Sequence, residues 1–225
     1  YNVLVGDKAS GWISDHIEPG VSALVDAEKR SGKINLAFNF LACTGNEVIV
    51  LSGAAKGKKG MVLGHHGGVE HVMLDFPTSV LNKLSNSDTF QIRAFGQGLQ
   101  LNDFPNIRLL SLDPKLLAKM QLKIKNNQLE VPIAASVPGK LMGSGLGSAN
   151  TYSGDYDIMT ADQKVIKKLG LDKLKLGDLV AIEDMDANNG WCYRKGAIMI
   201  GVIIHGDSHL AGHGPGVHTL MSSAN

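Results

Sequence analysis

Residues 197–204 constrain the fold of this chain more than any other segment. All eight residues are apolar or glycine, so a strand built from them has no face that can be turned to water. Such a strand has to lie inside a sheet, between two neighbours. Residues 182–186 and 191–194 precede it, and Asn189 with Gly190 between them is typical of a two-residue hairpin turn. The sequence therefore predicts a hairpin that leads into a buried central strand.

Glycine accounts for 27 of the 225 residues and aromatic residues for 5%, which favours short strands and tight turns over long helices. Short helices are also indicated. Asp113 and Pro114 suit a capping position and a first helical position. Thr160 with Gln163 forms a capping box before a helix that Gly170 ends. We predict an α+β fold dominated by β-structure, with antiparallel or mixed β-barrel-like sheets and a few short helices.

Two regions are indicated: an N-terminal β-rich region over residues 1–130 and a C-terminal α+β region over residues 131–225. Within the first, residues 46–76 have the pattern of a meander, with apolar runs separated by a Gly/Lys segment and by Gly67-Gly68. This pattern resembles the small SH3-like barrel motif, often called KOW, of some ribosomal proteins and transcription elongation factors. Residues 36–42 predict a further strand.

A two-residue turn at Gly67 and Gly68 would set the register of this meander. His65 would then face Glu70 at the tip, either as an ion pair without function or as part of a site. The same register places one set of apolar side chains on a common buried face: Met61, Leu63, Val72 and Leu74.

Composition argues against several classes of partner. The net charge is +1, and the cluster of Lys56, Lys58 and Lys59 has no aromatic neighbours. We therefore expect a solvated turn there, with a nucleic-acid module as the weaker alternative. No apolar run reaches the roughly 18 residues of a membrane helix, and residues 1–12 lack the apolar centre of a secretory signal. Cys43 and Cys192 are too few for a disulfide framework. We expect a cytoplasmic protein with reduced thiols.

The loop that follows the central strand is the main candidate for a site. His205 and Asp207 are two residues apart, so they share a face if the strand continues. His213 lies in a Gly-His-Gly-Pro-Gly turn, which exposes backbone N–H groups on a stiff frame. Imidazole and carboxylate ligands suit zinc, iron or manganese. Three interpretations remain open: a divalent-metal site, a metal-free acid–base site, and histidines that only bond the carbonyls of the loop.

Acidic clusters elsewhere are able to complete such a site. Asp155 and Asp157 lie just before the helix predicted at Thr160, and Asp184 lies at the end of a strand that should neighbour the central one. Carboxylates two residues apart point to one side of an extended chain, where they bind a hard cation or exchange protons. The alternative for each cluster is a solvated rim. A third candidate of lower weight comprises Asp15, His16 and Glu18.

Several segments together resemble a prokaryotic family known only as domain of unknown function 4438. They are residues 11–12, 15–21, 67–72, 141–145, 154–160, 177–184, 193–197 and 205–217. The resemblance extends over nearly the whole chain, and the Gly-His-Gly-Pro-Gly stretch is its most specific part. It implies a β-rich prokaryotic protein with an N-terminal and a C-terminal region, and it implies no reaction. Residues 177–184 also resemble part of the acetamidase/formamidase hydrolases.

Two hypotheses of function follow. In the first, the chain is a hydrolase or lyase acting on a small polar molecule such as an amide. His205, Asp207 and His213 then hold a divalent metal, with Asp184 as a further ligand, or act as acid and base together with Asp155 and Asp157. In the second, the chain is a self-assembling structural or binding protein, a homo-oligomer whose glycine-rich loops pack against neighbouring copies.

Overall fold

The computed structural model describes residues 18, 20–25, 32–68, 71–146, 150–207 and 214–224. Fourteen strands lie in these parts of the chain: β1 (Gly20–Ala23), β2 (Glu47–Val50), β3 (Lys59–His66), β4 (His71–Asp75), β5 (Phe90–Ile92), β6 (Ile107–Leu109), β7 (Lys123–Lys125), β8 (Gln128–Glu130), β9 (Ala135–Pro138), β10 (Met142–Leu146), β11 (Asp155–Ile158), β12 (Leu179–Asp186), β13 (Cys192–His205) and β14 (Gly216–Ser223). The helices in the same parts are short: α1 (Lys33–Leu41), α2 (Thr78–Leu81), α3 (Pro114–Lys119) and α4 (Gln163–Lys168), with 3₁₀ turns at Gly139–Leu141 and Leu171–Lys173. The predicted β-dominated fold class is confirmed.

The first sheet is a curled, fully antiparallel half-barrel with strand order β1-β4-β3-β2-β5. Its strands β2, β3 and β4 are consecutive neighbours, as the predicted meander requires. Val48, Val62, Val72 and Leu74 fill a small core on one face of this sheet.

The second sheet is a nearly closed barrel with strand order β10-β11-β14-β13-β12-β9, and β6 also pairs with β14. The predicted central strand is confirmed: β13 lies between β12 and β14, and Met199, Ile203 and Ile204 are fully buried. Ile198 departs from the prediction because its side chain is partly exposed. The predicted hairpin also forms, with Asp186 opposite Cys192.

Residues 36–42 form most of helix α1, so the strand predicted there is wrong. A short apolar run does not distinguish a strand from a helix. The burial of α1 is inverted, since Asn35 and Asn39 are its buried residues while Ile34 is 72% exposed. The Asn35 side chain accepts a bond from the backbone N–H of Val25, and Asn39 donates to the Asn35 carbonyl at 2.9 Å.

The predicted register of β3 and β4 is also wrong. His66 pairs with His71, so four residues separate the paired ends instead of two, and a bulge follows between Val62 and Gly64. Shifting a strand by one residue moves its side chains to the other face. Leu63 accordingly packs in the core of the second sheet, while Met61 is 42% exposed. Glu70, the predicted partner of His65, lies outside the described residues.

The predicted start of α3 and the predicted end of α4 are confirmed, but the capping box predicted at Thr160 is wrong. Asp113 caps α3 by accepting from the backbone N–H of Lys115. Gly170 has φ 70° immediately after α4, as a helix-ending glycine should. The cap of α4 is Asp162, whose carboxylate accepts from the next turn, while Gln163 instead donates to the carbonyl of Thr160. No described helix has the length and apolar character needed to cross a membrane.

The two sheets meet where β3 packs against β13 and β14. Leu63 and Met73 of the first sheet join the larger core, which is otherwise built from the second sheet and its helices. The last residues of β3 are His65 and His66. The fold therefore brings these two histidines to the end of β13, where His205 lies.

Candidate metal centre

A buried cluster of imidazole and carboxylate groups lies at the end of β13. The His205 side chain is fully buried, with Nε2 2.9 Å from Oδ2 of Asp155 and 3.4 Å from Oδ1 of Asp157. Both aspartates lie on β11 and are themselves buried. Being two residues apart on a strand, they point to the same face. The sequence analysis named all three residues, and the structure brings them together.

A glycine on the intervening strand allows this contact. Strand β14 lies between β11 and β13, and Gly216 pairs with Asp157 on one side and with His205 on the other. A Cβ atom at Gly216 would lie 2.2 Å from Nε2 of His205 and 2.4 Å from Oδ2 of Asp155. Any side chain at this position would therefore occupy the space in which the imidazole and the carboxylate meet.

His66 joins the cluster from the other sheet. Its ring centroid is 4.9 Å from that of His205, at an interplanar angle of 51°. Nδ1 of His66 is 3.1 Å from a carboxylate oxygen of Glu18, and the Ser22 hydroxyl donates to the other oxygen of Glu18. The backbone N–H of Gly67, the next residue, donates to Oδ1 of Asp155 at 2.8 Å. The end of β3 thus contacts the cluster twice, through the ring of His66 and through the backbone N–H of Gly67.

The sequence pattern does not predict His66 as a site residue. It indicates the neighbouring His65, opposite Glu70, and it gives Glu18 only as a candidate of lower weight. The available signal was the His65-His66 pair before two glycines. Choosing between the two histidines requires the packing of β3 against the second sheet, which the sequence pattern does not contain.

His66, Asp155 and His205 have the spacing of metal ligands. One possible ligand atom from each lies within 4.8 Å of the others, and all three residues are buried. The arrangement contains two imidazoles and one carboxylate, a ligand set used for catalytic zinc and for non-haem iron. Among the described residues it is the one group of three or more His, Cys, Asp or Glu side chains with this spacing.

The electrostatics of the cluster favour a charged His205. Burial alone would lower its pKa, but hydrogen bonds and charge interactions with Asp155 and Asp157 outweigh burial and raise the pKa to about 10. Nδ1 of His205 lies 2.9 Å from the Gly206 carbonyl oxygen. This contact assigns Nδ1–H as a hydrogen-bond donor. Without a metal, the ring is therefore an imidazolium whose Nε2–H points at the carboxylates.

A second pair of histidines lies beside this cluster. His65 and His218 are fully buried, with ring centroids 4.6 Å apart in an edge-to-face arrangement. Burial lowers the pKa of both rings. His218 bonds the Gly154 carbonyl through Nδ1. Neither nitrogen of His65 makes a hydrogen bond of good geometry, although nearby carbonyls favour its charged form. The pair is thus neutral, in contrast to His205.

Of the other predicted residues that the structure describes, Asp207 and Asp184 do not join the three potential ligands. Oδ1 of Asp207 accepts a 2.6 Å bond from the Thr160 hydroxyl, and Asp207 is not among the closely spaced ligand atoms. Asp184 lies at a bulge with φ 55° and accepts from the backbone N–H of Gly196. Its neighbour Glu183 pairs with Ile198, seven positions before His205 on β13, which corresponds to roughly 23 Å along the strand.

The placement of Asp184 as a ligand is therefore corrected, because the long hairpin puts it beside the middle of β13, away from the end at which His205 lies. His213, Asp15 and His16 lie outside the described residues. The Gly/Ser-rich segment after residue 139 includes strand β10.

Comparisons with known proteins give one consistent picture. The family description "Domain of unknown function (DUF4438), N-terminal" matches residues 1–118, and its C-terminal counterpart matches residues 119–225. The fold is similar to the crystal structure of TM1086, with a TM-score of 0.86 and 47% sequence identity over 99% of this chain and 77% of that one. No curated protein matches the chain.

Proposed function

The chain belongs to the DUF4438 family, a family defined without a function, and from the site we propose that it is a metal-dependent enzyme. The proposed activity is that of a hydrolase or a lyase acting on a small polar molecule such as an amide. The observation that carries this proposal is the close spacing of His66, Asp155 and His205. A soluble cytoplasmic setting is part of the proposal.

The contacts around the three residues support a metal role. In metal sites, the ligand atom is normally oriented by a hydrogen bond to the other polar atom of the same side chain. Here Glu18 holds Nδ1 of His66, and the Gly206 carbonyl holds Nδ1 of His205. Gly67 holds Oδ1 of Asp155. The ligating atoms would then be the two Nε2 atoms and Oδ2 of Asp155.

A divalent cation held by His66, Asp155 and His205 would act as a Lewis acid and so supply the chemistry that these side chains lack. Asp157 lies beside the ligands without belonging to them, with Oδ1 3.4 Å from His205 Nε2. Its carboxylate is therefore placed to accept a proton from the attacking water and to return it to the leaving group. Asp207, with His213, stays a candidate for contact with the substrate.

Metal binding is tested by titrating the metal-stripped protein with Zn²⁺, Mn²⁺ and Fe²⁺ in a calorimeter. We expect one equivalent to bind, and we expect Asp155→Asn and His66→Ala to abolish binding. Asp184→Asn is the matched control, because it makes the same change in a carboxylate far from the centre and should bind normally. Loss of binding in Asp184→Asn alone, or full binding in Asp155→Asn, contradicts the proposal. Activity is then sought by incubating the loaded protein with small amides, esters and lactams.

A second candidate, self-assembly into a homo-oligomer, is favoured by the outer face of α1. Ile34, Phe40 and Leu41 are 72%, 45% and 51% exposed, and residues 34–41 carry no charge. An uncharged apolar face can pack against the same face of a second copy without repulsion. Light scattering tests this candidate: we expect a dimer that Ile34→Lys converts to a monomer. A wild-type monomer at all concentrations would exclude it.

A further inference from the structure

A mostly apolar cavity of about 280 Å³ lies between the two sheets. Strand β3 and helix α3 line it on one side, and strands β13 and β14 line it on the other. None of its lining residues belongs to the metal centre. Large apolar side chains make up most of the wall: Met61, Val62, Leu63, Leu116, Met120, Leu176, Leu179, Val202 and Leu220.

Among the lining residues that the structure describes, Asp75 is the one with an ionisable side chain. It is the last residue of β4 and pairs with Met61. Partial burial raises the pKa of its carboxyl, so this group lacks much of the hydration that a surface carboxylate has. The backbone N–H of Phe76 donates to this carboxylate and favours its charged form. A carboxylate offers about four acceptor positions, so it can bind a cation as well.

The other polar groups of the wall already have partners. The Thr44 hydroxyl donates to the Leu63 carbonyl at 3.1 Å. The backbone N–H of Gly45 donates to Val62, and that of Gly177 donates to Ile203. A ligand in the cavity would therefore meet apolar surface everywhere except at Asp75.

We propose that this cavity binds a small aliphatic ammonium ion, whose alkyl chain fills the apolar space while its charged group contacts Asp75. The volume sets the size of the ligand. An apolar cavity of about 150 Å³ holds benzene, so roughly twice that volume suits about eight to twelve non-hydrogen atoms. An aliphatic carboxylate of the same length is repelled by Asp75, and an alcohol gains only the burial of its chain. This inference does not rest on the proposed metal chemistry.

Calorimetric titration with n-octylamine, n-octanol and octanoate at neutral pH tests the inference. We expect octylamine to bind with a Kd of about 1 mM or tighter, from typical affinities per ligand atom. Octanol should bind more weakly and octanoate should not bind. Asp75→Asn should weaken octylamine about tenfold, the scale of a charge-assisted hydrogen bond, while octanol is unchanged. Leu116→Phe, which adds volume to the wall, should weaken both ligands.

Two results overturn the inference: no octylamine binding to the wild-type protein, or equal octylamine affinity in Asp75→Asn. Metal titration of Asp75→Asn is the control for folding, because Asp75 does not touch the metal centre. We expect the same metal affinity as in the wild-type protein if that centre binds metal. If it does not, an unchanged unfolding midpoint serves as the control, so the two proposals fail separately.

Discussion

Replacing Gly216 by alanine is the sharpest perturbation of the proposed metal centre, because it changes no charge and no ligand. The new Cβ would lie 2.2 Å from Nε2 of His205 and 2.4 Å from Oδ2 of Asp155. Contacts closer than 3.0 Å do not occur for Cβ atoms, so the imidazole has to retreat by at least 3.0 − 2.2, about 0.8 Å. Metal–ligand distances tolerate changes of about 0.2 Å. The alanine therefore forces the ligands beyond the range that a metal accepts.

The assay is thermal unfolding with and without metal. A metal present at about 100 times its Kd stabilises the wild-type protein by about 2.7 kcal/mol. For a chain of this length, 1 kcal/mol corresponds to about 2–4 °C, so we expect the wild-type Tm to rise by about 5–11 °C. Gly216→Ala should lose this rise. Overpacking should also lower its metal-free stability by about 1–3 kcal/mol.

Gly98→Ala is the matched control for the loss of stability. Gly98 has φ 79° and nothing lies within 4 Å of a Cβ built on it, so alanine there strains the backbone without a clash. That strain costs about 1 kcal/mol, and we expect the metal-induced rise in Tm to persist. A full rise in Gly216→Ala would refute the reasoning, because it would mean that the metal binds away from His205 and Asp155.

Three further predictions concern stability and are measured by urea unfolding. The pKa of His205 rises from 6.5 to about 10 on folding, so its stabilising contribution is complete below pH 6.5. Between pH 6.5 and 10 the free energy of unfolding should fall by about 1.4 kcal/mol per pH unit. His205→Gln should flatten this dependence of stability on pH in the metal-free protein. The pKa values of His65 and His218 fall on folding, so protons bind the unfolded chain more tightly and stability should decrease below pH 6.5. A free energy of unfolding that does not change with pH below 6.5 contradicts this. Asp113→Ala should lower the free energy of unfolding by about 2–3 kcal/mol, because the carboxylate both caps α3 and accepts from Asn46 at 2.7 Å. A loss below about 0.5 kcal/mol, the level of a neutral surface change, would show that neither bond stabilises the fold.

Local pattern was sufficient to predict the parts of the fold that depend on nearby residues. The continuous apolar run of β13 requires a central strand whatever surrounds it, and His205 lies at the end of that strand as the sequence predicts. Asp155 and Asp157 followed from their spacing on an extended chain. The prediction for helix α1 is wrong because apolar residues of this helix face outward and its asparagines face inward. This reverses the usual relation between hydrophobic pattern and burial.

The contribution of His66 depends on contacts that no local pattern contains. His66 reaches His205 because β3 crosses the second sheet, and its neighbour His65 points instead to His218. Adjacent residues on a strand face opposite sides, so the two histidines contact different neighbours. The four-residue connection moves the partner of His66 from Val69 to His71, a shift of two residues that leaves each histidine side chain on its predicted face. The choice between His65 and His66 therefore depends on how the two sheets pack.

The location of the cluster links its chemistry to the packing of the two sheets. His66 and the Gly67 N–H come from the first sheet, while Asp155 and His205 belong to the second. A metal that binds all three ligands binds only the docked arrangement, so by linkage it stabilises the docking by its own binding free energy. The same linkage works in reverse, because any contact that holds β3 against β13 and β14 also tightens the metal site. Gly64, whose Cβ would meet Ile204 at 2.6 Å, is thus required for close packing of the sheets and, through that packing, for the position of His66.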